Sequence, residues 1–268
     1  MTIEQFLREA TAQFEAAGIL SARLDAQVLL ERTLKQNKAW LLAHGDETID
    51  AEKLPTLQEQ ARRRAARQPL AYILGRQEFY GRNFTVSSAV LIPRPETETI
   101  IEELKTLPLP DHARILDVGT GSGAIAITAE LEMPHLRTEA CDVSPEALEI
   151  AAQNAERLGA QVHFFASDLL QKAEHTYDAI IANLPYVAED WERSPETNFE
   201  PRLALFAEDK GLELIKKLVA AAPNYLNKKG FLVLEADPRQ FAGIKRAAAK
   251  SFTFTRSENF TIIFQKTK

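Results

Sequence analysis

The sequence is poor in the residues that would tie it to an oxidising compartment, a metal or a membrane. Its one cysteine, Cys141, excludes internal disulfides and fits a reducing compartment. The five histidines, at positions 44, 112, 135, 163 and 175, show no metal-ligand spacing, so no metal site is expected. No apolar run approaches the length needed to span a bilayer. Met1 to Phe6 contains no basic segment followed by an apolar core, so no signal peptide is expected and the chain reads as cytoplasmic. Positive charge is not in excess either. The 32 basic and 38 acidic residues leave a net charge of -6, which argues against a protein that coats nucleic acid by charge alone, although a local basic patch stays open. Internal repeats and low-complexity tracts are missing as well.

What is present is an ordinary globular composition, 45% hydrophobic and 26% charged, over 268 residues. That length suffices for one large or two modest domains with real cores. Residues 1–72 read as a small helical bundle. Thr2 and Gln5 have capping-box spacing, and Ile3, Phe6, Leu7, Ala10, Phe14 and Ala17 recur at helical intervals up to Gly18. Ser21 opens a second helix with Leu24, Val28 and Leu34 on one face. A third runs from about Asp50 to Arg67, with Leu54, Leu57, Ala61 and Ala65 inward. The cluster Arg62, Arg63, Arg64, Arg67 reads most simply as a solvated helix face, with contact to an acidic partner as the sharper alternative.

Residues 73–92 are expected to form a β-hairpin linker, from two short aromatic-bearing runs on either side of Gly81. Next comes Leu91-Ile92-Pro93-Arg94-Pro95-Glu96-Thr97-Glu98, where two prolines keep the chain extended until about Thr97. On composition alone this is a connector. From Ala113 strands alternate with helices, the sign of a parallel sheet. The strand candidates are Arg114–Val118, Thr138–Asp142, Val162–Ala166, Tyr177–Ala182, Gly230–Glu235 and Phe260–Gln265, with Thr253–Arg256 weaker. Helices are expected at about Ala124–Glu132, Pro145–Leu158, Gly211–Ala222 and Pro238–Ala249.

Two stretches carry chemistry. In Asp117-Val118-Gly119-Thr120-Gly121-Ser122-Gly123-Ala124 the glycines allow a tight turn and a close ligand approach. Gly119, Gly121 and Ala124 also satisfy the loose dinucleotide fingerprint, but Asp117 just before them would repel a pyrophosphate and suits a cationic ligand. Asp142 ends the second strand, where an acid holds ribose hydroxyls. Asp168 follows the third, placed for an adenine amine, with Leu169 beside it for the ring. Singly, each acid has an ordinary reading as a solvated strand end. Three at the carboxyl ends of successive strands are specific. The second stretch is Ile180-Ile181-Ala182-Asn183-Leu184-Pro185-Tyr186, a buried-strand run that stops at an amide side chain. Pro185 keeps the residue before it extended. Asn183 Oδ1 and an adjacent backbone carbonyl can each accept one hydrogen of an NH2 group.

With these residues the chain resembles a class I S-adenosylmethionine-dependent methyltransferase. More closely, it resembles the HemK/PrmC family, which methylates a glutamine side-chain amide in bacterial peptide chain release factors. The likeness rests on Arg23-Leu24-Asp25-Ala26, on Arg67 to Gly75 running into Glu78-Phe79-Tyr80-Gly81, and on Leu91 to Glu98. It rests also on Asp117 to Gly121 and on Glu200-Pro201-Arg202-Leu203-Ala204-Leu205 leading to Gly211-Leu212. It replaces the connector reading of residues 91–98. One departure is Leu184, where the family usually has proline. Asn-Leu-Pro-Tyr is what ribosomal RNA adenine dimethyltransferases tend to carry, so the tetrad alone does not choose between protein and RNA.

The resemblance implies an α/β fold: a Rossmann-like, seven-stranded, mostly parallel sheet over residues 93–268, preceded by the helical bundle and the hairpin. It implies S-adenosyl-L-methionine held by Asp117, Val118, Gly119, Thr120, Gly121, Asp142, Asp168, Leu169 and Asn183. Substrate would be gripped by Asn183, Leu184, Pro185 and Tyr186, with Arg94 beside them. The reaction would be in-line displacement of a sulfonium methyl by the amide nitrogen, the product losing its proton to water, with no general base. The partner is then a release factor docked by residues 1–72, with no nucleic acid, no membrane, and a monomeric enzyme. Three competing readings are an adenine amino-methyltransferase on RNA or DNA, a silent nucleotide-binding module, and a nicotinamide oxidoreductase. The first is disfavoured by the acidic balance from residue 76 on, 22 basic against 28 acidic residues.

Overall fold

The computed structural model of the chain describes residues 1–267. These form two compact units: Met1–Gly75 with Arg193–Phe199, and Arg76–Glu192 with Glu200 to the C-terminus.

The first unit holds five helices: α1 (Ile3–Ala16), α2 (Ala22–Leu34), α3 (Lys38–Ala43), α4 (Leu54–Ala65) and α5 (Leu70–Leu74). The capping box at α1 forms, with Thr2 N donating to Gln5 Oε1 at 2.8 Å and Gln5 N to Thr2 Oγ1 at 3.2 Å. Ile3, Phe6, Ala10 and Phe14 then face the core. In α2 the buried face is Ala22, Asp25, Ala26, Leu29 and Leu30, so the expected inward position of Leu24 is wrong. Leu24 is 58% exposed, beside a fully exposed Leu20. The reason is Asp25, which takes an inward position that apolar periodicity does not anticipate.

Asp25 is inward because an arginine meets it. Arg64 is buried and donates from Nε to Asp25 Oδ2 at 2.7 Å and from Nη1 to Glu196 Oε1 at 3.1 Å. Arg67 completes the cluster from Nη2 to Glu196 Oε2 at 2.7 Å. The solvated-face reading therefore holds for Arg62, which pairs at the surface with Glu59, and fails for Arg64. The acidic partner is the chain itself, on a seven-residue segment that returns from far along the sequence.

The second unit opens with an antiparallel hairpin, β1 (Arg76–Phe79) and β2 (Arg82–Thr85). Its two-residue turn, Tyr80-Gly81, has φ of +51° and +73°, the primed geometry that matches strand twist. A tyrosine is tolerated there because its N–H donates to Glu98 Oε1 at 2.8 Å and its ring lies under Lys105. Phe79 and Phe84 pack into the core of this unit with Ile100, Leu104 and Ile115.

Thereafter the chain runs through α6 (Glu98–Thr106), β3 (Arg114–Val118), α7 (Ala124–Glu132), β4 (Arg137–Asp142), α8 (Pro145–Leu158), β5 (His163–Ala166) and β6 (Tyr177–Ala182). It continues through two short turns, α9 (Arg202–Leu205) and α10 (Glu208–Gly211), then α11 (Glu213–Ala221), β7 (Leu226–Glu235), α12 (Phe241–Ala248), β8 (Phe252–Glu258) and β9 (Thr261–Lys266). The seven strands from β3 on make one sheet in the order β5-β4-β3-β6-β7-β9-β8. All neighbours are parallel except β7 with β9 and β9 with β8. This is the seven-stranded, mostly parallel sheet expected from the sequence. The weak strand candidate at Thr253–Arg256 is its antiparallel edge.

Strand alternation sorts the apolar side chains to two faces. Leu116, Val118, Ile180, Ala182, Leu232 and Leu234 join the core with α11 and α12, while Ile115, Ala179, Ile181 and Val233 join that with α6 and α7. Both faces being covered explains the continuous run Ala179-Ile180-Ile181-Ala182. Full burial of each isoleucine contributes about 1.5–3 kcal/mol.

Arg64→Ala should strand the carboxylates of Asp25 and Glu196 and destabilise the first unit by about 3–5 kcal/mol, read as a lower denaturation midpoint. Burial raises the pKa of Glu196, but hydrogen bonds from Ser194, Arg67, its own amide and Arg64 outweigh it and set the group at about 2. Its contribution should be complete above the ordinary glutamate pKa and lost as pH falls towards 2, and an acid titration of wild type against Glu196→Gln measures it.

Candidate active site

The strand order reverses at β3: the chain steps outward through β4 and β5, then returns to pair β6 on the other side. Open α/β sheets bind ligands at the carboxyl ends of the strands at such a point. The register shows what meets there. Val118 pairs with Cys141 and with Ala182, and Ala182 pairs with Leu234. One residue further along each strand lie Asp142, Gly119, Asn183 and Glu235.

A cavity of about 350 Å³ opens at this edge, entirely within the second unit. Its walls include Arg94, Thr97, Val118, Gly119, Thr120 and Gly121 from the β3 side. Asp142, Val143, Asp168 and Leu169 contribute from the β4 and β5 ends, and Asn183, Leu184 and Pro185 from β6. The loop after β3 is pinned from below. Gly119 N and Thr120 N donate to the Cys141 carbonyl at 2.8 and 3.0 Å, and Gly121 N donates to Asp142 Oδ2 at 2.9 Å. Gly119 has φ +77°, and a Cβ there would come within 3.0 Å of Leu184 Cδ2. The positive φ favours glycine, and any larger residue would also push the Leu184 methyl aside.

Asn183 donates from Nδ2 to Thr97 Oγ1 at 3.2 Å, and its Oδ1 takes no hydrogen bond among the described residues. The Leu184 side chain is buried in the core, and its carbonyl is likewise unclaimed among the described residues. Two acceptors one residue apart thus remain available at the cavity. Tyr186 is held from three directions. Its hydroxyl donates to Glu235 Oε1 at 3.3 Å, and its carbonyl accepts from Gln240 Nε2 at 2.8 Å. A Cβ on Gly211 would stand 1.9 Å from that same carbonyl oxygen, so the close approach admits only glycine.

Comparison with known proteins adds the family. The model described as "PrmC N-terminal domain" matches residues 5–75, and the "Methyltransferase small domain" matches residues 96–197. The "Release factor glutamine methyltransferase" of Koribacter versatilis is 42% identical over 249 residues, covering 89% of each chain. This chain belongs to the release factor glutamine methyltransferase family. Its Deinococcus radiodurans counterpart is 38% identical over 89% of this chain and 87% of its own. Among solved structures, a methyltransferase from Pyrococcus furiosus shares the fold, with a TM-score of 0.55 and 20% identity over 82% of this chain and all of its own.

Within this family member, eleven of the thirteen site residues expected from the sequence line the one cavity, from Arg94 to Pro185. Asp117 and Tyr186 do not. Asp117 is 1% exposed beneath the loop and accepts from the Thr120 hydroxyl at 2.7 Å, while its Oδ1 is buried with no hydrogen bond of regular geometry. Tyr186 turns its hydroxyl back towards β7. Arg94 lines the cavity but is committed to an ion pair with the buried Glu200, whose other oxygen accepts from Ile92 N at 3.2 Å. The pair ties segment 91–98 to segment 200–205 across the rim. The sequence reading missed Thr97, Glu200 and Glu235 as site residues. Glu235 carried the same signal as Asp142, an acid at the carboxyl end of a strand. Cys141, the lone thiol, is buried, and burial with the nearby Asp117 charge pushes it up to about 12, which leaves it inert.

Burial pushes Asp117 up to about 7, against the Thr120 hydroxyl and the Ala126 amide, with the Asp142 charge adding to the rise. Between its ordinary pKa and about 7 the folded protein keeps a proton that the unfolded chain has released. Asp117 therefore lowers stability as pH rises through that window, and the deficit persists above it. Without cofactor, Asp117→Asn should raise the melting temperature at pH 8 and change it little at pH 4, as differential scanning fluorimetry would show.

Proposed function

We propose that this protein transfers a methyl group from S-adenosylmethionine to the side-chain amide nitrogen of a glutamine in peptide chain release factors. The observation that carries the reading is the pair of free acceptors, Asn183 Oδ1 and the Leu184 carbonyl, at the wall of a cavity that also contains the glycine loop. An amide NH2 has two hydrogens, and two fixed acceptors match it. Membership in a family whose relatives are named for this activity supplies the substrate class.

The donor set fits S-adenosylmethionine. Asp142 presents carboxylate oxygens at the cavity, each already accepting one backbone N–H and each keeping lone-pair capacity for a ribose hydroxyl. Val143 and Leu169 give apolar surface for a flat ring, with Asp168 beside them to accept from an exocyclic amine. Gly119 to Gly121 let the ligand approach the backbone. When bound, the cofactor supplies an electrophilic methyl group on a sulfonium.

The chain's own residues then do the rest. The glutamine nitrogen is a poor nucleophile because its lone pair is delocalised into the carbonyl. Asn183 and Leu184 hold both N–H bonds, aim the nitrogen and stabilise the positive charge that grows on it. Orientation of this kind accounts for several kcal/mol of a barrier, of order 7–11 at best. No residue is needed as a base, since the methylated amide loses its proton to water.

Incubating the protein with S-adenosylmethionine and an unmodified release factor should add one methyl group to a glutamine, mapped by mass spectrometry. Asn183→Ala should lower the rate by about a hundredfold or more while leaving cofactor affinity within a few-fold. Methylation of RNA adenine with the release factor untouched would overturn the assignment.

The helical first unit is proposed to dock the release factor, a role supported by the exposed Leu20 and Leu24 on its surface. Leu20→Asp with Leu24→Asp should raise KM for the intact factor and leave KM for a free glutamine peptide unchanged. Equal effects on both substrates would count against docking there.

A further inference from the structure

The buried carboxylate at the end of β7 has no place in the scheme above, yet it borders the residue on which that scheme turns. Glu235 is 1% exposed, and its Oε2 makes no hydrogen bond of regular geometry. It stands one step beyond the pair Ala182–Leu234, next to Asn183 across the β6–β7 ladder. Tyr186 donates to its Oε1, and the side chains of Thr97 and Asn183 lie within hydrogen-bonding reach of the same carboxyl. Thr97 ends the 3-10 turn Pro95–Thr97 that runs directly into α6, with helical φ of -67° and ψ of -21°. Its hydroxyl oxygen accepts from Asn183 Nδ2.

We infer that Glu235 is a positioning residue: its carboxylate accepts from the Thr97 hydroxyl, and with the Thr97 oxygen it then forms an acceptor wall that holds the Asn183 NH2 and thereby turns Asn183 Oδ1 towards the cavity. An asparagine side chain is nearly symmetric in shape, so packing does not choose between its two orientations. Hydrogen bonding does. In the opposite orientation Oδ1 would face the Thr97 oxygen and a carboxylate, and the NH2 would point at the substrate nitrogen, donor against donor. Reading the acceptor wall as functional rests on the proposed amide transfer.

The wall fails if the carboxyl gains a proton it can donate. Burial raises Glu235 to about 7, against Thr97, with the charge of Glu96 adding to the rise and Tyr186 and Asn183 opposing it. Asp237 is the further acidic group facing this cluster, through Tyr186. Once protonated, Glu235 can donate to Asn183 Oδ1 and favour the inverted amide. The turnover number should therefore fall as pH drops below about 7. Asp117 titrates in the same range, but it lies under the cofactor loop, so measuring kcat at saturating S-adenosylmethionine separates the two.

The test uses the full-length protein and its release factor. Glu235→Gln, which offers an NH2 to Asn183 Oδ1, should lower kcat by about ten- to a hundredfold and abolish the acid limb of its pH profile. KM and cofactor affinity should stay within about twofold. Thr97→Val should lower kcat less and keep the limb, and it serves if Glu235→Gln does not fold. A readout independent of turnover is the side-chain 15NH2 signal of Asn183, identified by its loss in Asn183→Ala. It should be protected from exchange in the wild type and lose protection in both variants. An unprotected wild-type signal, or unchanged kcat and pH profile in Glu235→Gln, overturns the inference. A protected signal in a wild-type protein that transfers no methyl to a release factor would support the acceptor wall and overturn the proposed reaction instead.

Discussion

The site exists because three parallel strands end in step. The ladders that pair Val118 with Ala182 and Ala182 with Leu234 bring Gly119, Asn183 and Glu235 to one edge of the sheet, and the β3–β4 ladder adds Asp142 beside them. Side chains alternate between faces along a strand, so a slip of one residue would send Ile180 and Ile181 to the opposite cores. The hydrophobic burial that stabilises the fold is therefore what sets the register of the polar edge. Position at the edge follows from packing in the middle.

Around that edge, rigidity comes from contacts that are individually modest. Asp142 ties the glycine loop to the start of α8 by accepting from Gly121 N and Ser144 N, each at 2.9 Å. The Arg94–Glu200 pair joins two segments that are more than a hundred residues apart in sequence and that both line the cavity. Gln240 bridges the carbonyls of Tyr186 and Lys210, and Gly211 lets the chain pass against the first of them. Each contact removes a freedom that the substrate would otherwise have to remove on binding.

The sequence makes the sheet legible because its strands are continuous apolar runs bounded by turns, and a run such as Ala179 to Ala182 has few other uses. The glycine loop and the Asn-Leu-Pro-Tyr step are legible for the same reason: they are local. What stays hidden depends on partners far along the chain. Nothing local places Asp25 inward until Arg64 is set against it, and Arg64 reads as one of a basic cluster until Glu196 arrives. The prolines are expected to keep the chain extended to about Thr97, but a 3-10 turn already begins at Pro95, where proline's fixed φ suits a first helical turn. Only the fold shows the Thr97 hydroxyl turned to Asn183. Arg94 lines the cavity, and only the fold shows that its ion pair with Glu200 braces the rim. Periodicity also misplaces Leu24, because a buried carboxylate claims the inward position beside it.

Leu184 is where this chain departs from the tetrad of the family it resembles, and the structure shows what the leucine does there. Residue 184 has two jobs. Its side chain fills space in the core, 5% exposed and packed closely over Gly119, and its carbonyl stays open at the cavity. Proline and leucine both supply an apolar side chain and a carbonyl, and neither job needs the N–H that proline lacks. What proline would add is a fixed φ at 184 and a restriction on Asn183. Here Pro185 already restricts residue 184, and Asn183 is restrained through Thr97 at 3.2 Å rather than by the backbone that follows it. In this chain the restraint on the Asn183 side chain is a hydrogen bond and not a ring.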